Sequence, residues 1–202
     1  PLAEDALSLP VRTGKARVIG IEPASLVTKS LVREVNTDDA GCFQSALNPG
    51  LTKIAVIERH KRTGKRGIGI LEGYGLTGGA IATTISHDSH NIVVAGDNDP
   101  DMLLAVRELA DMGGGIVSVH GGAIRRLPLP IAGLMTSADP QEVNAVLHDM
   151  LVAARAELGI PEDVEPFMTL SFMALPVIPE LKLTARGLFN VNTFSFVGVE
   201  AD

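Results

Sequence analysis

Five hydrogen-bonding side chains in a row, His87-Asp88-Ser89-His90-Asn91, separate two apolar, β-branched stretches, 80–85 and 91–95. Three chemistries suit these residue types. A Ser/His/Asp triad is one, but side chains adjacent in sequence point to alternate faces and converge poorly. One or two metal ligands is another, since His and carboxylate suit Mn, Fe or Zn. The third is a substrate-facing loop whose His or Asp contacts a polar ligand. The bland alternative is a turn in which Asp88 and Ser89 bond local backbone N–H groups and the histidines cover the strand ends. A second candidate, Glu58-Arg59-His60, closes another apolar run. On a strand Glu58 and His60 share a face, where they contact a ligand or each other. Glu180 and Lys182 read as a surface ion pair, and the lone His120 and His148 as surface or capping residues.

The glycines invite a nucleotide reading that their spacing refuses. Gly67-x-Gly69-x-x-x-Gly73 departs from the G-x-G-x-x-G fingerprint, and Gly64-Lys65 is followed by Arg66 rather than Ser or Thr. Sharp turns and close backbone approach account for these glycines. No His-x-His with further His and Asp downstream is present, and no Cys-x-x-Cys zinc set. A two-metal hydrolase site is therefore not encoded in these residues.

The elements that must position these candidates follow from periodicity and punctuation. Residues 1–14 carry two prolines and no period, and read as a linker or tail. Strands are expected at 16–21, 27–35, 53–59, 67–72, 80–85 and 91–95, with a long loop over 36–52. Asp99-Pro100-Asp101 opens a helix that Gly113-Gly114-Gly115 ends, with Asp99 as the expected cap. Residues 116–119 and 123–127 form a hairpin around Gly121-Gly122. Asp139-Pro140-Gln141-Glu142 opens a second helix. Val143, Val146, Leu147, Met150, Leu151, Ala154 and Leu158 keep its period, and Gly159 closes it. Strands are expected again at 168–173 and 193–199, around the Pro-rich segment 175–179. Strands in adjacent pairs with short turns favour antiparallel pairing. The expected fold is an α+β layered domain over 15–202, of mainly antiparallel strands with two or more amphipathic helices.

Bulk properties narrow the partners. The 202 residues carry a formal net charge of -7, which argues against a nucleic-acid surface. Trp is absent and aromatics are 3%, so the core must be aliphatic. One cysteine, Cys42, excludes an internal disulfide and suggests a reducing, cytoplasmic setting. No run of about 18 uncharged apolar residues is present to span a membrane. The opening Pro1-Leu2-Ala3-Glu4-Asp5 has no initiator Met and no basic stretch, and reads as a cut inside a longer chain.

Several long strings carry a resemblance. Lys53-Ile54-Ala55-Val56-Ile57-Glu58-Arg59-His60 with Gly67-Ile68-Gly69 resembles the C-terminal region of bacterial adenine deaminases. So do Gly75-Leu76-Thr77-Gly78-Gly79-Ala80-Ile81-Ala82, leading into His87–Asn91, and Leu127-Pro128-Leu129-Pro130-Ile131-Ala132-Gly133-Leu134-Met135. Pro166-Phe167-Met168-Thr169-Leu170-Ser171-Phe172 and Leu175-Pro176-Val177-Ile178-Pro179-Glu180-Leu181 complete the match, which covers about residues 53–190. Residues 1–52 match loosely.

The resemblance implies membership of the amidohydrolase superfamily and hydrolysis of adenine to hypoxanthine and ammonia. It implies a (β/α)₈ barrel holding manganese or iron, which lies N-terminal to this region, so no metal ligand is expected in this chain. The domain would pack on its own barrel, in a cytoplasmic homo-oligomer. Asp88 or His90 would act as the catalytic proton carrier, and His87, Ser89, Asn91 and Glu58 would contact substrate. The alternatives are a scaffold or dimerisation module working through 175–181, and an independent ligand-binding domain using the glycine-rich loops.

Overall fold

The computed structural model describes residues 2–201. Pro1, the first residue of the expected linker, and Asp202, the last of the expected domain, lie outside the described residues. Eleven strands and three α-helices are described. The first eight strands are β1 (Lys15–Ile21), β2 (Thr28–Glu34), β3 (Leu51–Ile57), β4 (Arg66–Glu72), β5 (Gly79–Thr83), β6 (Ile92–Gly96), β7 (Gly115–His120) and β8 (Ala123–Pro128). They make one sheet in the order β2-β1-β4-β3-β6-β5-β7-β8. Every pairing is antiparallel except β1 with β4, where Ile19 faces Leu71. The expected α+β layering therefore holds.

The sheet is covered on both faces, and the two-residue side-chain period sorts its residues between them. From β3, Ile54 and Val56 enter one core and Ala55 and Ile57 the other. The second core is closed by α1 (Asp99–Asp111), whose Met102, Ala105, Val106 and Leu109 lie over Ala80, Ala82 and Val94. The first is closed by α2 (Pro140–Ala156), α3 (Pro166–Phe172) and a small sheet of β9 (Leu181–Thr184), β10 (Gly187–Asn190) and β11 (Ser195–Val197). Burial on both faces explains why β5 and β6 are continuous apolar runs rather than alternating ones.

Four expectations change. The opening segment is not a linker: Ala6, Leu7, Leu9 and Val11 are buried, and Phe43 donates its N–H to the Leu9 carbonyl at 2.8 Å. The expected strand at 168–173 is helix α3, with Glu165 as its cap and Pro166 in the first turn. The cap of α1 is Asn98, whose Oδ1 accepts from Asp101 N at 2.9 Å, so Asp99 stands one place inside. Lys182 is no surface residue: it is fully buried on β9 and donates to the Leu26 carbonyl at 2.8 Å, while Glu180 accepts from Ser30 N. The capping of α2 by Asp139 is as expected, with Oδ1 accepting from Gln141 N at 2.8 Å. Among the described residues no helix is long and apolar enough to cross a membrane.

Candidate functional site

The loop 84–91 joins β5 to β6, two buried neighbours in the middle of the sheet, so its ends are fixed. Thr84 anchors one end. Its hydroxyl donates to the Gly133 carbonyl at 2.6 Å and accepts from Gly115 N at 2.8 Å. Within the loop, His90 N–H closes a turn on the Ser86 carbonyl at 2.6 Å, and His90 takes a left-handed φ of 47°. His87 N–H donates to the Ser171 carbonyl of α3 at 3.1 Å, and the His87 ring lies 4.4 Å from that of Phe172. Arg59 Nε donates to the His90 carbonyl at 2.6 Å, and His60 Nε2 lies 2.8 Å from the Ser89 carbonyl. A carbonyl only accepts, so that contact sets the tautomer in which Nε2 carries the proton. These contacts hold the loop by its backbone and leave Asp88 and Ser89 exposed at its tip.

The candidates divide between two hollows. His87 faces a hollow of about 340 Å³ beside Phe172, Ser171 and Leu147. Asp88, Ser89, Asn91 and Glu58 line another, of about 620 Å³. His90 lines neither, and its ring lies 6.1 Å from that of His87. The far wall of the larger cavity comes from residues about 100 positions away, namely the Pro176–Val177 turn and the phenylalanines of the small sheet. Phe194 and Phe196 each pack edge-on against Phe189 with centroids 5.2 Å apart. Arg186 sits 4.6 Å over the Phe196 ring, a cation–π contact. Of these wall residues, the sequence singled out only the Pro-rich segment, as a dimerisation surface, and none of the phenylalanines or Arg186. The signal was there in Phe194-x-Phe196, two aromatics two positions apart in a chain with 3% aromatics.

Glu58 is not a free carboxylate on a strand face, because β3 ends at Ile57. Its oxygens accept from His60 N at 2.6 Å, Lys61 N at 2.7 Å, Thr63 N at 2.9 Å and Thr63 Oγ1 at 2.9 Å. Those backbone donors, Thr63 and Lys61 foremost, hold its pKa down to about 2. The carboxylate organises the 58–65 turn, which forms one rim of the larger cavity. The His90 imidazole is pushed below its ordinary pKa, chiefly by burial and further by the neighbouring His87 and Arg59. The shift favours the neutral form of the ring.

Two polar atoms at the loop ends, Ser86 Oγ and Asn91 Oδ1, are buried without a hydrogen-bond partner. Leaving such an atom unpaired costs on the order of 1–3 kcal/mol. Asn91 is 8% exposed and is among the residues lining the larger cavity. Among the described residues no group of three or more His, Cys, Asp or Glu is placed to hold a metal ion.

Comparison with known proteins gives this geometry a family. Residues 25–195 match the family model described as the adenine deaminase C-terminal domain. An adenine deaminase of Nitratidesulfovibrio vulgaris is 60% identical over 200 residues, which is 98% of this chain and 34% of that protein. The adenine deaminase of Clostridium acetobutylicum is 45% identical over 197 residues, covering 97% of this chain and 34% of its own length. That of Bacillus velezensis is 44% identical over 205 residues, again 34% of its length. The chain thus spans about a third of the length of the curated relatives it matches. By the family model and by these identities, the chain belongs to the adenine deaminase C-terminal domain family.

Proposed function

We propose that this chain forms part of an enzyme that hydrolyses adenine to hypoxanthine and ammonia, lending its 87–91 loop to the substrate pocket. Family membership supports the reaction. The observation that carries the loop's role is its construction: a backbone held at Thr84, His87, Ser89 and His90, with Asp88 and Ser89 left free at the tip. Side chains that must meet a reacting molecule need such preorganisation, because small misplacements are costly in rate.

The reaction exchanges the exocyclic amine for a water oxygen, so a proton from water must reach the departing ammonia. His90, whose surroundings favour the neutral ring, can accept a proton from water in passing and hand it on, and the exposed Asp88 carboxylate accepts hydrogen bonds from water or an amine. Among the described residues no group of His, Cys, Asp or Glu suits the manganese or iron implied by the resemblance. We assign it to a barrel outside these residues, on which this domain packs within a cytoplasmic homo-oligomer. The chain alone is then expected to release no ammonia from adenine.

The test is His90→Ala in the whole enzyme, read as ammonia release. A fall in kcat/KM of about 10²-fold or more is expected. A near-normal value removes the loop from the mechanism. A non-catalytic scaffold or dimerisation role is the second reading, favoured by the exposed Val177 and Phe194 on one side of the cavity. A dimer dispersed by Val177→Asp, together with a fully active His90→Ala enzyme, would establish it.

A further inference from the structure

Among the described residues eleven large hydrophobic side chains stand exposed, and six of them are tied to the 84–91 loop. Val177, Phe194 and Phe196 line the hollow that holds Asp88 and Ser89. Met168 lines the hollow that holds His87. Ile131 and Met135 close the turn whose Ala132 carbonyl accepts from Arg59, the residue that also holds His90, and whose Gly133 carbonyl accepts from Thr84. The exposures of the six run from 44% to 75%. Single exposed apolar side chains are ordinary, but a set gathered about one loop marks a contact surface.

These side chains are held in place before anything covers them. Phe194 and Phe196 lean on the buried Phe189. Val177 N–H donates to the Leu175 carbonyl at 2.9 Å, and Met135 N–H to the Ile131 carbonyl at 3.1 Å. Covering side chains that are already fixed forfeits little conformational freedom. Between them the tip of the loop, Asp88 and Ser89, is polar and exposed.

A second copy of the chain is the poorer occupant. In a two-fold contact the face meets itself, which brings the Asp88 carboxylates toward one another as water leaves. The curated relatives point to a better one. The matched stretch is 34% of each of them, so about two-thirds of each lies outside this domain.

We propose that the apolar set flanking the 84–91 loop is the face on which this domain meets the remainder of its own longer polypeptide. Asp88 and Ser89 enter a polar opening, and the six hydrophobic side chains close the joint beside it. The covering surface is apolar where it meets them and offers N–H or cationic donors at the opening, because a carboxylate leaves water at low cost only for such partners. The inference rests on the reading above for the identity of that remainder, and adds the surface that joins the two.

The test is oxidation by dilute hydrogen peroxide of the whole native enzyme, read at each methionine by mass spectrometry. Sulfoxidation follows the access of solvent to the sulfur. Met135 and Met168 are natural reporters on the face, and Phe194→Met supplies a third. Val32→Met, at an exposed position of the edge strand β2, reports the surface away from it. The three face sites are expected to oxidise about tenfold or more slower than in the urea-unfolded enzyme, and the Val32→Met site within about threefold of the unfolded rate. Face sites that oxidise as readily as the Val32→Met site overturn the proposal. So does protection that vanishes when the enzyme is diluted to a monomer, which assigns the face to a second copy. The two readings fail separately: open face sites in an enzyme that loses activity with His90→Ala keep the loop's role in the reaction and discard the joint. Protected face sites with a fully active His90→Ala enzyme do the reverse.

Discussion

Arg59 Nε donates to the carbonyl of His90 at 2.6 Å, and the same guanidinium donates through Nη2 to the carbonyl of Ala132 at 2.6 Å. Both acceptor residues hold left-handed backbones, with φ of 47° and 59°. Such conformations are uncommon outside glycine and need outside support. One side chain at the end of β3 thus pins two strained turns, the candidate loop and the 131–135 turn beside it. Arg59→Ala is expected to lower the unfolding free energy by about 2 kcal/mol, since two carbonyls lose a charged donor. Arg59→Lys has one compact head that cannot span both acceptors, and should recover only part of the loss. Urea denaturation of the three proteins checks this. Equal midpoints for wild type and Arg59→Ala would show that the guanidinium does not hold the loop.

The glycine pair in β4 makes a sharper contrast. A methyl group on Gly67 would stand 2.1 Å from the Thr184 carbonyl oxygen and 3.0 Å from Gly187 N, both backbone atoms of the small sheet. On Gly69 it would meet Leu183, Ile54 and Leu188 at 3.5–3.6 Å, ordinary contact distances. Gly67→Ala must separate the two sheets and is expected to cost about 3 kcal/mol or more, whereas Gly69→Ala should stay within about 1 kcal/mol. Thermal melts of the two variants decide it. Indistinguishable Tm values would mean that the small sheet does not press on β4 at Gly67.

That contrast also marks where the sequence was readable. Close backbone approach was the expected role of the Gly67 region, and it is the role found. The strands of the large sheet and the helix capped by Asp139 were readable because each has one period and local punctuation. The stretch 168–173 misled because Met168-Thr169-Leu170-Ser171-Phe172 alternates like a strand; the acidic cap and Pro166 before it were the truer signal. Residues 2–14 have no regular structure to leave a period, yet Leu7 and Val11 are buried. The candidate site was half legible. Asp88, Ser89 and Asn91 stood out as a polar run, but their cavity depends on Phe189, Phe194 and Phe196, about 100 residues on. Only the sheet packing brings those together.

Glu58 supplies a pH test of the cavity rim. Its folded-state pKa, about 2, lies below the usual carboxylate value near 4.5 because backbone N–H groups of the 58–65 turn favour the charged form. A depressed carboxylate contributes stability that is full above the unfolded pKa and fades as pH falls toward the folded one. Glu58→Gln is therefore expected to be less stable than wild type at about pH 7. The gap should narrow through the window from about 4.5 to about 2. Thermal melts across that range test it. A gap that stays constant with pH would mean that the turn is held by shape rather than by charge.

Lys182 runs the opposite way. It is fully buried on β9 with the Leu26 carbonyl as its hydrogen-bond acceptor, and burial pushes its amine down to about 8 from the usual 10.5. Below about pH 8 the amine is charged in both folded and unfolded chains, and the folded state carries the full cost of enclosing it. Between about 8 and about 10.5 the unfolded chain binds more protons than the folded one, so stability rises with pH. The shift corresponds to about 3 kcal/mol over that window. Lys182→Met keeps the length and the packing but cannot titrate. Wild type should therefore gain about 3 kcal/mol relative to Lys182→Met between pH 7.5 and pH 10.5. Taking the difference between the two proteins cancels the other lysines and Tyr74. Denaturant unfolding at the two pH values measures it. Parallel stability curves would show that the buried amine keeps an ordinary affinity for its proton, and that water or a carboxylate reaches it in solution.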